Sequence, residues 1–206
     1  MMEHEIEPVP GLPERLPQAE TVVWQGGCDR RSFMRNALHM PMVAAYFAIL
    51  ALAGLATGAL AGAAITAVAG VAALGLLSLF AWLVARSTVY TITDKRIVMR
   101  FGVALPMCVN IPMTIVETAR VRSHRDGTAD ICLALTADQR AGYLVLWPHS
   151  RPWRYGRPEP MLRGLADGQR VAALLARTMA QAVPGGRHLA PADATASTLA
   201  PVPVAA

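Results

Sequence analysis

Charge is missing where a soluble domain would carry it. From Asn36 to Ala85 the chain holds no Asp, Glu, Lys or Arg, fifty residues in succession. That excludes an ordinary water-facing surface over this stretch. A bilayer span needs about 20 apolar residues, so the run is too long for one helix and suits two. Charged residues are only 16% of the chain and the mean hydropathy is +0.37, a membrane-class profile. Catalytic motifs are missing too. The chain contains no HExxH, no P-loop and no GxSxG. Carboxylates are sparse, and Glu117, Asp126, Asp130 and Asp138 read as turn or surface residues. No enzyme is expected. Cysteine is scarce: Cys28, Cys108 and Cys132 are odd in number, widely spaced and without a CxxC. They suggest neither a zinc site nor a redox pair, and are expected as free thiols on a cytosolic face. The acidic, Pro-rich start does not read as a signal peptide, which would place basic residues before an apolar run.

What is present divides the chain into five parts. Residues 1–20, with four prolines, read as an extended acidic arm. Residues 21–35 hold a short β-prone run, Thr21 to Gln25, and a basic lead-in. Residues 36–85 form a two-helix transmembrane hairpin, with spans near Ala37–Thr57 and Ala61–Ala85 and a short join at Thr57–Leu60. Residues 86–183 are expected to form a folded domain, and 184–206 a disordered tail. Arg30, Arg31 and Arg35 precede the hairpin, while Arg86, Lys95, Arg96 and Arg100 follow it. The positive-inside rule puts both flanks, and both termini, in the cytoplasm.

After Arg86 the pattern has period two. Strands are predicted at Thr88–Thr93, Arg96–Phe101, Val109–Met113, Ile115–Val121, Asp130–Thr136 and Gly142–Trp147, with turns at Asp94-Lys95 and Asp126-Gly127. From Leu165 the period returns to 3.6. Val171, Leu174, Leu175, Thr178, Met179 and Ala182 share one face, and Asp167 is the predicted N-cap. The fold class is therefore a membrane α-helical hairpin plus a mainly-β roll capped by a C-terminal helix.

Two groups of residues stand out. Gly54, Gly58 and Gly62 fall at spacing four. They suit either a helix-association face of the GxxxG kind or a turn flanked by small residues, and the position of Gly58 favours the turn. Between Trp147 and Arg163 the aromatic residues Trp147, Trp153 and Tyr155 alternate with Arg151, Arg154 and Arg157, and His149 lies among them. Three readings remain open for this stretch. It could be a protein-docking surface, since Trp, Tyr and Arg dominate hot spots. It could be a membrane-surface contact, or a connection packed on the sheet. The net charge of +5 suits lipid headgroups better than nucleic acid in a membrane-tethered chain.

Tyr90-Thr91-Ile92-Thr93-Asp94-Lys95-Arg96-Ile97, directly after a membrane hairpin and followed by Gly102 and Ile111-Pro112, resembles the bacterial PH-like membrane proteins. The Asp126–Ile131 turn is similar to that family's Gly-x-Gly-Asp hairpin but has Ala129 at the second Gly. Leu146–Arg154, Arg157–Arg163 and the Leu16–Gly26 element resemble the photosynthetic complex assembly proteins of purple bacteria. The resemblance implies a PH-like roll and a non-enzymatic role in the inner membrane, including the photosynthetic intracytoplasmic membrane. It implies assembly of the reaction centre and its core antenna, and a homodimer. It also raises bacteriochlorophyll contact. A neutral imidazole in a span is a natural magnesium ligand, and His39 is the candidate. Near the interface, however, an ordinary polar histidine is cheap. The alternative class is a membrane-anchored PH-like module that binds lipid or a ligand, with no photosynthetic role.

Overall fold

The computed structural model describes residues 16–17, 19–136, 142–182 and 189–191. Most of the expected acidic arm and of the tail, together with Asp138, lies outside these. Eight strands and five helices follow in order: β1 Val22–Gly27, α1 Arg30–Ser32 continued as a π turn over Phe33–Ala37, α2 Met40–Ala56, α3 Leu60–Ser87, β2 Val89–Thr93, β3 Arg96–Phe101, β4 Met107–Pro112, a 3₁₀ turn Met113–Ile115, β5 Val116–Ser123, β6 Ala129–Leu135, α4 Tyr143–Leu146, β7 Met161–Leu165, α5 Gly168–Ala182 and β8 Leu189–Pro191.

The strands form two four-stranded sheets, ordered β1-β2-β3-β4 and β7-β6-β5-β8. The first is antiparallel throughout. Its alternating residues Tyr90, Ile92, Ile97, Met99 and Ile111 face inward and are fully buried or nearly so. The β2–β3 turn is held by Thr93, whose Oγ1 accepts from the Lys95 and Arg96 amides. The second sheet supplies Val116, Ala119, Ile131, Leu133, Leu162 and Leu165 to the same core, and α5 closes it with Val171, Leu175 and Met179. Gly168 begins α5 because any Cβ there would run into Ala129. Asp167 does start the helix, its carbonyl accepting from Arg170 and Val171, but with a left-handed backbone at φ 52°.

The strand Thr21–Gln25, whose place was open from the sequence, pairs with β2 as β1. Glu20 is not part of a loose arm. It is buried and receives two hydrogen bonds from Arg96, at 2.7 and 2.9 Å. Its burial would raise the carboxyl, but hydrogen bonds from Arg96 and Thr93 hold it below the usual range. The expected strand Gly142–Trp147 is instead the single turn α4. A short apolar run does not distinguish strand from helix by period. The place beside β6 is taken by β7, which the sequence reading missed. Asp130, read as a surface residue, is buried. It accepts from the Gly164 amide at 2.8 Å and faces His124 at 3.0 Å.

The uncharged segment is a helical hairpin. Of the described residues, only α3 forms a helix long and apolar enough by itself to cross a membrane. The first helix is shorter than expected. It begins at Met40, after a left-handed residue, His39 (φ 51°), and a 58° bend from Arg30–Ala37. Pro41 fits its first turn, where no N–H is required. The helices join at Gly58 (φ 76°) and close where glycine permits. A Cβ at Gly54 would lie 3.1 Å from the Ala63 Cβ, and one at Gly70 would lie 2.8 Å from the Phe47 Cβ. Gly62 has only Ala59 nearby, at 3.9 Å. The three spaced glycines thus do not form one face. Gly58 makes the turn, Gly54 the close approach, and Gly70 a second approach that the spacing did not reveal.

Candidate functional site

The Trp147–Arg163 stretch is an excursion with a closed neck and an open tip. At the neck Ser150 bridges Pro160, the Arg151 amide donates to the Glu159 carbonyl, and the Met161 amide donates to that of His149. The peptide bond between Trp147 and Pro148 is cis. At the tip Trp153 is 84% exposed and Tyr155 62% exposed, with Arg154 and Arg157 also outward. Tyr155 leans on Tyr143, with ring centres 4.8 Å apart.

Glu159 fixes the tip to the sheet. Its buried carboxylate lies 2.9 Å from Arg151, 3.3 Å from Arg154 and 3.7 Å from Arg120, and it accepts from the Cys132 thiol at 3.1 Å. Burial pushes this carboxyl up, yet the Cys132 and Arg151 hydrogen bonds and the surrounding arginines bring it below its ordinary value. The Cys132 thiol is pushed up, by burial first and then by the carboxylate. Sequence reasoning passed over Glu159. The available signal was that it is the only acid in an Arg-rich run.

His149, expected among the contact residues, is instead fully buried. Its role follows from a chain of hydrogen bonds. Thr88 Oγ1 donates to the Val84 carbonyl at 2.7 Å, so it accepts from His149 Nε2 at 3.1 Å. His149 Nδ1 then accepts from the Tyr90 hydroxyl at 2.8 Å, which in turn accepts from the Arg163 amide at 3.1 Å. This order requires a neutral ring with its proton on Nε2. Burial, with Arg163 nearby, lowers the His149 pKa to about 3. The chain ties the last turn of α3 to β2 and β7.

Beside it, α3 and the β domain enclose an open cleft of about 290 Å³. Phe80, Val84 and Ser87 form one wall, while Gly102–Ala104 and Trp147-Pro148 form the other. Trp147 stacks on Phe80, centres 5.4 Å apart and planes at 27°. A smaller polar groove of about 110 Å³ carries Arg120, Arg154 and Arg157 with Glu117 and Glu159. His39 sits apart from both, exposed at the bend, its Nδ1 3.2 Å from the Ala37 carbonyl. Donating that proton would leave Nε2 with an outward lone pair, which a metal ligand needs, but neither groove adjoins it.

The site offers an aromatic and arginine-rich tip on a rigid base, and an apolar cleft at the helix end. Residues 43–179 match the family described as Bacterial PH domain. A protein of Rhodobacter capsulatus, described as "Uncharacterized 23.7 kDa protein in puhA 5'region", is 33% identical over 187 residues, covering 85% of this chain and 87% of that protein. No solved structure matches the chain.

Proposed function

The chain belongs to the bacterial PH domain family, and from that premise we propose that it is a non-enzymatic assembly or stabilisation factor, of the PuhB type, for the photosynthetic reaction centre and core light-harvesting complex. The α2–α3 hairpin anchors it in the inner membrane with both termini cytoplasmic. The β domain meets the client's cytoplasmic surface, and the protein acts as a homodimer. The relative's placement in the puhA 5′ region suggests a photosynthesis-related context. The two crossings are compatible with the sheet. β1 precedes the hairpin and β2 follows it, yet they pair over Gly27↔Val89 to Val22↔Thr93. Paired strands share one side of a membrane, a pairing that fits two crossings between them as well as none.

The observation that carries the contact model is the tip on its braced neck. Trp153, Tyr155 and Arg157 are exposed while Glu159, Ser150 and Pro160 hold the base. Tyr and Trp supply large contact area at little entropic cost, and arginine joins them among the residues that dominate hot spots. The first test is a deletion strain grown photosynthetically. Reduced reaction-centre levels are expected, and unchanged levels would refute the assembly role. The second test substitutes Trp153→Ala, Tyr155→Ala and Arg157→Glu, none of which holds the neck. Loss of co-purifying reaction-centre or antenna subunits, with retained dimerisation, supports docking. Loss of vesicle affinity alone supports the lipid-binding alternative.

A further inference from the structure

We propose that the loop between β3 and β4, with Val103 and Leu105 at its tip, sits together with Trp147 in the headgroup layer of the bilayer that α3 crosses, giving the β domain a second point of membrane attachment. This rests on the membrane reading of the hairpin and adds a surface that reading does not assign.

Depth along α3 locates the loop. At a rise of about 1.5 Å per residue, the twenty steps from Leu60 to Phe80 span about 30 Å, the thickness of the hydrocarbon core. Phe80 therefore marks its cytoplasmic edge, and Ser87 lies about 10 Å beyond it. Trp82 is 41% exposed, with the Arg86 guanidinium 5.3 Å from its ring centre. An indole paired with arginine is what the headgroup level favours. Gly102–Ala104 face Val84 and Ser87 across the cleft, and Trp147 stacks on Phe80. The loop and the indole therefore lie just beyond that edge, at the depth of the headgroups.

The loop's chemistry fits that depth. Gly102 to Met107 reads Gly-Val-Ala-Leu-Pro-Met, with no charge, and every residue from Val103 to Cys108 is exposed. Leu105 is 77% exposed. An uncharged apolar tip on a water-facing surface would be an association liability. Its shape is set in advance. Gly102 has φ 126°, and a Cβ there would collide with the Leu105 carbonyl, so the tip is presented ready-formed.

The test uses the full chain in phospholipid vesicles, in a Cys108→Ser background because Cys28 and Cys132 are buried. Spin labels are placed singly at Leu105→Cys, at Val71→Cys in α3, and at Arg125→Cys in the β5–β6 turn. Collision with oxygen is compared with collision with a water-soluble nickel chelate. The expected oxygen-to-nickel ratio at 105 is several-fold above that at 125 and below that at 71. A ratio at 105 equal to that at 125, with 71 lipid-like, overturns the loop proposal and leaves the anchor standing. Shielding of 105 from both reagents places protein, such as a second copy, on the loop and also overturns it. A water-like ratio at 71 defeats the membrane reading itself.

Discussion

Removing one oxygen, in Tyr90→Phe, tests the junction between helix and sheet. Tyr90 is fully buried, and its hydroxyl accepts from the Arg163 amide and donates to His149 Nδ1. The substitution leaves two buried polar groups without that partner. Each such loss costs about 1–3 kcal/mol, so about 2–4 kcal/mol is expected in total, allowing for the longer of the two bonds. In a β domain of about a hundred residues this lowers Tm by roughly 10–25 °C. The assay is built into the chain. Cys28 and Cys132 are buried and react with a thiol-sensitive dye only when the domain opens, so a thermal scan in a Cys108→Ser background reports unfolding. A second variant checks the mechanism. His149→Leu removes the acceptor, and Thr88 still donates to Val84. The double variant should therefore lose less than the sum of the single losses, by about 1 kcal/mol. A Tyr90→Phe protein melting within about 3 °C of its parent would refute the hydrogen-bond chain.

Three further outcomes are expected. The folded pKa of His149 is about 3, below an unfolded value of about 6.5, so the unfolded state binds the extra proton first. Stability should fall as pH drops from about 6.5 to 5, before the carboxylates titrate, and His149→Gln should flatten that slope in pH-dependent melts. In native protein a maleimide should modify Cys108 alone, because burial shields Cys28 and raises its thiol to about 12, and Cys132 is likewise buried; mass spectrometry showing a second modified thiol would contradict this. In the hairpin, Gly54→Val should destabilise by pushing Ala63 away, Gly58→Ala should cost about 1 kcal/mol for its positive φ, and Gly62→Ala should be neutral or slightly stabilising. Thermal scans that rank these three differently would refute the packing described.

Much of the β domain could be read from local pattern. Arg96–Phe101 was predicted with the bounds observed, because a turn at Asp94-Lys95 and a glycine at 102 close it on both sides. The apolar face of α5 was visible for the same reason: its period is a property of its own residues. What could not be read depends on partners far away in the chain. β7 contains Gly164 at φ 60° and looks broken in sequence, yet it completes the ladder on β6. Asp130 is buried because the Gly164 amide reaches it from 34 residues on. The composition of Trp147–Arg163 marked the segment but not its division into neck and tip. His149 and Trp153 are four residues apart and equally polar in context, and only tertiary packing buries one and exposes the other. Resemblance to a family identified the segment as informative, whereas the ion cluster around Glu159 is what gives it shape.

The pairing of β1 with β2 also sets an order in time. Gly27 leaves the ribosome about sixty residues before its partner Val89, a delay of roughly 3–12 s at ordinary synthesis rates. During that interval β1 has no neighbour, and the charge-free helices are the next part of the chain to appear. The sheet can close only when Val89–Thr93 has emerged and reached β1. A chain whose hairpin fails to return leaves β2 without an edge partner and the Glu20–Arg96 pair unmade. Completion of the first sheet therefore depends on both ends of the helical hairpin coming together, which ties the finished β domain to a correctly closed pair of helices.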